Sequence, residues 1–404
     1  MRFLIRQVTL VCVFLFATLL FAGCSQTGRA DPSPAPTLEP DAEGEPHPLI
    51  IWHALPPSES DALQHIADRF GEARPDIDVR IVVYDSSILL SEYETAVMEG
   101  AGPDILLGPP PWISTLAAKG LIQPLSLELS RLLDNILPLS LARSTYLADA
   151  PYGVPYSADF ATLYYNRALM NEPPQIWDQV APIARQSGLT IAPTFGAVSG
   201  LYLTPGGQLL AAGESPLAPS HTVKTFLAEL QTLARQPGVT FTGDVTAFAE
   251  GKTGMLLSSS IHYADLRSAL GDNLGVAALP RWPPKQWSTL LEFVALMQNL
   301  NSTTETIEAT TAFAEFLLSP DVQQAWFEQT GHAPVNPSGL ADESLRAAWT
   351  NTLEWGAAAP LDGLFEMEIQ PALDRAIWAV THNNLSVEDA AANLLASLEK
   401  SSPP

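Results

Sequence analysis

The stretch Tyr152–Met170, which reads YGVPYSADFATLYYNRALM, decides how this sequence is organised. Gly153 and Pro155 interrupt its start, so a strand is predicted to end near Val154 and a new segment to begin behind it. An apolar run rich in β-forming aromatic residues follows, and Asn166 then predicts the start of a short helix. The chain is therefore expected to cross here from one packed body into another.

The same stretch resembles the crossover of extracellular solute-binding proteins, the maltose-binding-like receptors of ABC importers. In that family a Gly-x-Pro turn precedes a strand ending in Tyr-Asn, and a Pro-Pro-x-x-Trp loop follows, which here is Pro173–Trp177. Two further segments, Ala247–Ser258 and Pro334–Asn336, are similar to recurrent phrases of the family. The resemblance covers Leu49 to Lys400. It implies an α/β, periplasmic-binding-protein-like fold of two lobes, with a ligand cleft between them and a multi-segment hinge.

The resemblance and the local patterns together predict a division of the chain. Residues 1–24 are a lipoprotein signal peptide, 25–48 a disordered Pro-rich tether, 49–154 with 284–338 the first lobe, and 155–283 with 339–400 the second. The sequence of the first body supports an α/β lobe independently. From Leu49 onward it contains, in order, an apolar run, a periodic helix, an alternating strand, a second helix and a third strand. That order is typical of α/β proteins with parallel neighbouring strands.

The N-terminal segment has the pattern of a secretory signal. Arg2 and Arg6 precede the apolar run Val8–Ala22, which is shorter than a typical membrane span. Leu20–Cys24 resembles a bacterial lipobox, which implies cleavage before Cys24 and attachment of lipid to its thiol. We expect a protein anchored outside the cytoplasm, on the periplasmic side or at the cell surface. An uncleaved single-span anchor is the alternative.

Charge and cysteine content exclude several classes of function. The 404 residues carry a formal net charge of −24, which disfavours nucleic acid, because phosphate binding requires clustered Lys and Arg. The two cysteines, Cys12 and Cys24, both lie in the N-terminal segment. The body therefore has no disulfide, no Cys-ligated zinc site and no catalytic thiol.

Local catalytic signatures are missing from the sequence. It contains no Gly-x-Ser-x-Gly elbow, no His-Glu-x-x-His, no phosphate loop and no dinucleotide fingerprint, and its seven histidines do not fall at metal-ligand spacing. We predict a binding protein without cofactor or metal. An extracytoplasmic hydrolase, built on carboxylates that meet only in the fold, is the least favoured alternative.

The candidate ligand-binding residues follow from strand ends and from the resemblance. Parallel sheets place ligands at the carboxyl ends of their strands, which points to the residues after the first three strands. In the second body the same rule points to a position near the crossover and to the loop after Leu257. The resemblance supports both of these and adds a position before a late helix. The predicted ligand-binding residues are Trp52, His53, Asp85, Gly108, Trp112, Asp159, Ser260, His262 and Glu366. Trp112 fits the core at a helix start equally well. Many sugar-binding relatives carry Trp where this chain has Ser260–Tyr263, which disfavours a long oligosaccharide.

The predicted function is capture of a small solute by a monomer and delivery to an ABC permease. Aromatic and acidic side chains near strand ends favour a sugar, oligosaccharide or polyol. A polyamine or other cation, attracted by the negative charge, is one alternative, and a sensor subunit that presents ligand to a receptor is another. An anionic ligand is disfavoured, because Arg and Lys are sparse at the predicted rim.

Overall fold

The computed structural model describes residues 46–207, 220–361 and 363–399. The predicted signal peptide, the lipobox with Cys24 and nearly all of the predicted tether lie outside the described residues. Within them, no helix is both long and apolar enough to cross a membrane. The first strand begins at His47, two residues before the predicted start of the body.

The body contains both strands and helices. The strands are β1 (His47–His53), β2 (Ile77–Val83), β3 (Ile105–Gly108), β4 (Tyr146–Leu147), β5 (Ala150–Pro151), β6 (Val154–Asn166), β7 (Leu189–Ile191), β8 (Val239–Phe241), β9 (Met255–Ser259), β10 (Leu274–Ala277), β11 (Leu290–Gln298), β12 (Ala333–Pro334) and β13 (Ala357–Ala358). The α-helices are α1 (Pro57–Ala73), α2 (Leu89–Met98), α3 (Pro111–Ala118), α4 (Leu127–Ile136), α5 (Leu139–Ala142), α6 (Val180–Ser187), α7 (Phe195–Val198), α8 (Gly200–Leu203), α9 (Ser220–Ala234), α10 (Thr246–Ala249), α11 (Tyr263–Leu270), α12 (Thr304–Leu317), α13 (Pro320–Thr330), α14 (Glu343–Trp355), α15 (Gln370–Thr381) and α16 (Val387–Glu399). Short 3-10 turns span Trp177–Gln179, Ser260–His262, Gly271–Asn273 and Pro337–Gly339, and a π-helical turn spans Phe365–Ile369.

One mixed sheet runs through the described residues. Its order is β2-β1-β3-β11-β6-β9-β7-β8, with β10 and β12 also paired to β6 and β13 paired to β11. The β1–β2, β1–β3, β7–β8, β7–β9 and β11–β13 pairs are parallel, whereas β11 runs antiparallel to β3 and β6, and β6 also runs antiparallel to β9, β10 and β12. The predicted α/β class with parallel neighbours is therefore confirmed.

The crossover stretch forms a single long strand. β6 does not end near Val154 but begins there, and its 13 residues continue without a break to Asn166. Its first half pairs with β11 and its second half with β9 and β10. The helix predicted after Asn166 is wrong, because the Asn166 side chain accepts a hydrogen bond from the Ala168 amide and closes a turn instead. Asparagine favours such local turns for the same reason that it caps helices.

The helices follow their sequence signals. The buried face of α1 consists of Ala62, Leu63, Ile66, Ala67 and Phe70, at the three- and four-residue spacing of an amphipathic helix. α13 begins with Pro320 directly after Ser319, and Gly331 in the left-handed conformation terminates it after Thr330, both as expected.

Two hydrophobic cores lie on opposite faces of the strands in the β6–β9 region. Leu256 and Tyr164 belong to the first core, whereas Met255, Leu257 and Leu163 belong to the second. This alternation follows from the two-residue period of a strand. Because neighbouring residues of one strand serve different cores, the cores do not mark the predicted lobe boundaries, which stay a prediction.

Candidate functional site

A cavity of about 380 Å³ opens where several strands of the second half of the sheet end. Its wall includes residues that directly follow β7 and β8 and residues at the end of β9, together with parts of β6, β11 and α15. The lining residues are Phe160, Ala161, Ala192, Thr194, Gly196, Ala197, Gly243, Ser258, Ser259, His262, Leu290, Glu292, Gln370 and Asp374. These positions are the carboxyl ends of three parallel-paired strands, where α/β sheets bind their ligands.

Two carboxylates, Glu292 of β11 and Asp374 of α15, face this cavity. Glu292 Oε1 accepts a hydrogen bond from Gln370 Nε2 at 2.8 Å, and Asp374 Oδ1 accepts one from the Phe195 amide at 2.5 Å. Each carboxylate therefore keeps acceptor capacity beyond its hydrogen bond to protein, since an ionised carboxylate has about four lone-pair positions. No Lys or Arg is found among the described lining residues.

The surroundings of these carboxylates favour their neutral form. Desolvation raises the pKa of Glu292, the Gln370 hydrogen bond opposes this, and Asp159 and Asp374 raise it further. Desolvation also raises the pKa of Asp374, while the Phe195 amide and Arg375 lower it. Glu366, in the π-helical turn, has a raised pKa through desolvation and the Glu292 charge. A hydroxyl or cationic ligand that satisfies these groups would relieve unfavourable electrostatics.

The residues predicted after the first three strands do lie at neighbouring strand ends. The Trp52 ring at the end of β1 packs against Tyr84 with ring centroids 4.5 Å apart. Trp112 covers Gly108, where an added Cβ would lie 2.3 Å from the Trp112 Cε3 atom. Both tryptophans are partly exposed and pack on the first core. Neither lines the described cavity.

Asp85 and His53 are engaged with the protein itself. Asp85 Oδ1 accepts hydrogen bonds from the amide and the hydroxyl of Ser87, which lowers its pKa. His53 is fully buried, its Nδ1 accepts from the Leu55 amide at 3.0 Å, and its Nε2 lies 3.5 Å from Ser60 Oγ. Burial lowers the pKa of His53, against the opposing effect of Glu59.

Asp159 and Ser260 are connected by a chain of polar contacts. Ser260 Oγ donates to Asp159 Oδ1 at 2.9 Å and accepts from the Phe160 amide at 3.2 Å. Asp159 Oδ2 lies 2.8 Å from His332 Nδ1, and His332 Nε2 lies 3.1 Å from Glu59 Oε1. Desolvation lowers the pKa of His332, but the two carboxylates outweigh it and raise the pKa to about 10. His332 is therefore a cation at neutral pH.

Among the nine predicted residues, only His262 lines the cavity directly. Asp159 is coupled to it through Glu292, its partner across the β6–β11 pair, and Glu366 through the charge of Glu292. Sequence reasoning missed Glu292, Asp374 and Gln370, as well as Glu59 and His332. A signal for Glu292 was present, because it is the one charged residue in the strand LLEFVALMQ, which is apolar apart from Glu292 and the terminal Gln298. Within the described residues, no group of three or more His, Cys, Asp or Glu side chains is arranged to hold a metal ion.

Comparison with known proteins places this chain in a family. The family model of the bacterial extracellular solute-binding proteins matches residues 65–353. The maltotriose-binding protein of Pyrococcus abyssi (strain GE5 / Orsay) is 23% identical over 320 residues, which cover 74% of this chain and 68% of the relative.

Solved structures agree with the fold. A cyclo/maltodextrin-binding protein complexed with maltotetraose superposes with a TM-score of 0.72 at 20% identity, over 89% of this chain and 98% of its own. The cyclic α-maltosyl-1,6-maltose binding protein from Arthrobacter globiformis gives 0.71 at 18% identity, over 88% and 98%. The two-lobed solute-binding fold predicted from the crossover stretch is confirmed.

A family model that spans most of the chain defines its class. The chain belongs to the bacterial extracellular solute-binding proteins.

Proposed function

We propose that this protein captures a short neutral carbohydrate or polyol in the 380 Å³ cavity and delivers it to an ABC permease. The observation that carries the proposal is the pair Glu292 and Asp374, which face one cavity at the carboxyl ends of β7, β8 and β9. The cavity volume lies near the lower end of the range of about 300–1,000 Å³ for small-molecule sites, which favours a short ligand.

The chemistry of the lining supports hydroxyl recognition. The carboxylates accept hydrogen bonds from sugar hydroxyls, and such charge-assisted bonds are stronger than neutral ones. Thr194, Ser258 and Ser259 both donate and accept, as hydroxyl groups do. The names of the similar proteins mention maltotriose, maltotetraose and cyclic α-maltosyl-1,6-maltose. These names support an α-glucan fragment as the first ligand to test.

A cationic solute is the second candidate, favoured by the absence of Lys and Arg among the described lining residues. A thermal-shift series on the full chain separates the two, with maltotriose, maltose, a polyol and spermidine as probes. We expect maltotriose or maltose to raise the melting temperature, because a ligand that binds only the native state stabilises it. A shift with spermidine alone, reduced by salt, would replace the sugar with a cation.

We further propose that the body binds as a monomer without catalysis and closes around its ligand. The predicted lobes, 49–154 with 284–338 and 155–283 with 339–400, would then hold the solute between them. Trp52, Asp85, Gly108, Trp112 and Glu366 remain predicted contacts of the closed form, since they lie on strand ends or beside Glu292. Light scattering that reports a dimer would contradict the monomer.

We propose that Cys24 carries a lipid that anchors the protein outside the cytoplasm. The lipobox-like Leu20–Cys24 supports this, as does the membership of an extracellular family. Cys24→Ser is expected to move the protein from the membrane fraction to the soluble fraction, or to leave an uncleaved precursor, and to abolish labelling by an alkyne fatty acid. Unchanged labelling in Cys24→Ser would contradict the anchor.

A further inference from the structure

A continuous chain of polar contacts connects helix α1 to the wall of the cavity. It runs from Glu59 through His332 and Asp159 to Ser260, with successive contacts of 3.1, 2.8 and 2.9 Å. Ser260 is fully buried and lies between Ser259 and His262, which both line the cavity. These contacts therefore reach the Ser258–His262 segment of the cavity wall.

Asp159 lies at the point where β6 changes its partner strand. Asp159 pairs with Glu292 of β11, and two residues later Ala161 pairs with Ser259 of β9. The series of polar contacts therefore spans the junction between the two halves of the sheet. On one side, Glu59 lies in α1 and His332 lies in the two-residue connection between α13 and β12. On the other side, Ser260 follows β9.

Both oxygens of Asp159 already have partners within the protein. Oδ1 accepts a hydrogen bond from Ser260, and Oδ2 contacts His332. These two contacts fix the side chain, so it does not rotate freely toward a solute. The Ser260 hydroxyl is likewise used twice, since it donates to Asp159 and accepts from the Phe160 amide. Groups with this degree of internal satisfaction hold a site in place more readily than they contact its ligand.

The charges along the chain of contacts are mutually dependent. His332 lies between two carboxylates, Glu59 of α1 and Asp159 of β6. The wider surroundings add His53 and Tyr156, which interact with Glu59, and Glu292 and Tyr164, which interact with Asp159. Loss of the imidazolium would leave Glu59 and Asp159 without their shared cation in a half-buried setting, which is costly.

We propose that Glu59, His332, Asp159 and Ser260 form an ionic link that positions the cavity wall Ser258–His262. His332 is the positioning residue at its centre, and Asp159 and Ser260 hold the wall without contacting the solute. The inference rests on the proposed function only in taking the cavity as the solute site.

Hydrogen exchange on the ligand-free full chain tests the link without any ligand. His332→Gln is expected to accelerate amide exchange at Phe160 and in Ser258–His262 about tenfold, the equivalent of one lost charge-assisted hydrogen bond. His65→Gln is the matched control, because His65 is an exposed histidine of α1 bonded to Gln329 and not to this chain of contacts. Unchanged exchange in His332→Gln, or equal acceleration in His65→Gln, would overturn the link.

Maltotriose affinity as a function of pH tests the positioning role. In the wild type, affinity is expected to fall as His332 deprotonates near pH 10, whereas Glu59→Gln should move this fall to lower pH because one carboxylate is lost. His332→Gln should bind roughly tenfold more weakly at pH 7.5 and show no such fall. If His332 acted only through its packing, Glu59→Gln would leave the pH midpoint of the fall in maltotriose affinity unchanged.

The two proposals fail in different ways. If the wild type does not bind maltotriose or the other sugars, the proposed function fails and the exchange data still decide whether the link exists. If the wild type and His332→Gln bind maltotriose equally at pH 7.5, the positioning role is overturned and the proposed function stands.

Discussion

Glu292 has an unfavourable electrostatic environment at the proposed ligand site. It is solvent-accessible in the cavity, yet desolvation raises its pKa, so the charged form is disfavoured in the native state. Natural proteins retain such costs chiefly at functional sites. The same conflict is visible in the sequence as a lone carboxylate in an apolar strand.

Glu292→Gln is therefore expected to raise the melting temperature at pH 7.5. A raised carboxyl pKa means that the native state gains stability as the pH falls through that pKa, so the advantage of the variant should vanish below about pH 4. Glu308→Gln, at an exposed position of α12, provides the control and should change little. A lower melting temperature of Glu292→Gln at pH 7.5 would contradict a cleft that disfavours this charge.

For His332 we predict the opposite effect on stability, because its charged form is stabilised in the native state. Its pKa is raised to about 10 from an ordinary value of 6.5, so its stabilising contribution is complete below pH 6.5 and is lost as the pH rises through 10. The difference in melting temperature between the wild type and His332→Gln should accordingly be largest near pH 6 and shrink toward pH 10. A constant difference across this range would show that the charge of His332 is irrelevant to stability.

At the scale of single elements, most of β6 could be predicted from its sequence. The aromatic and β-branched run Phe160–Tyr165 predicted a strand, and the observed strand contains it. The Gly153–Pro155 interruption suggested a break near Val154, but pairing with β11 extends the strand through Pro155, because tertiary pairing outweighs local turn propensity. Asn166 predicted a helix cap and forms a turn, since both structures use the same side-chain acceptor.

The end of β3 and the start of α3 depend on one glycine. Gly108→Ala would place a Cβ 2.3 Å from the Trp112 ring, so Trp112 must move and the free energy of unfolding should fall by about 1–3 kcal/mol. The matched substitution Gly71→Ala lies in the last turn of α1 with no atom within 4 Å of the new Cβ. That variant should gain about 0.5–1 kcal/mol from helix propensity. Urea unfolding measures both, and equal effects of the two substitutions would contradict the packing of Trp112 on Gly108.

The candidate site could be predicted only in part, because some of its residues come together only through the packing of distant segments. Strand-end reasoning identified His262 and placed Trp52, Gly108 and Trp112 at neighbouring strand ends, because the ends of parallel strands gather at one edge whatever their sequence. Asp374 and Gln370 come from a helix near the C-terminus, and their approach to β11 depends on how the whole chain packs. No local pattern encodes such a distance. The Glu59–His332 contact spans 273 residues and was invisible for the same reason.

For the whole molecule, the proposed mechanism requires closure. A ligand that contacts both lobes shifts the population toward the closed form only by its differential affinity for that form. Small-angle scattering of the full chain should therefore show a smaller radius of gyration with saturating maltotriose than without ligand. An unchanged radius with proven saturation would contradict closure and leave a fixed binding site.

The net charge of −24 is a property of the whole surface and does not by itself define the ligand. A large net charge of one sign opposes aggregation and also attracts cations. Salt dependence distinguishes these roles, since binding of a neutral sugar should hardly change between 50 and 500 mM salt, whereas binding of a polyamine should weaken strongly.

The most direct measurement is isothermal titration of maltotriose into the full chain, with the wild type compared with a Glu292→Gln, Asp374→Asn double variant. We predict saturable one-to-one binding by the wild type and at least about a tenfold loss in the double variant, because each carboxylate offers charge-assisted hydrogen bonds to sugar hydroxyls. Glu308→Gln should bind like the wild type. No binding by the wild type, or equal affinity in the double variant, would contradict a carbohydrate held between Glu292 and Asp374.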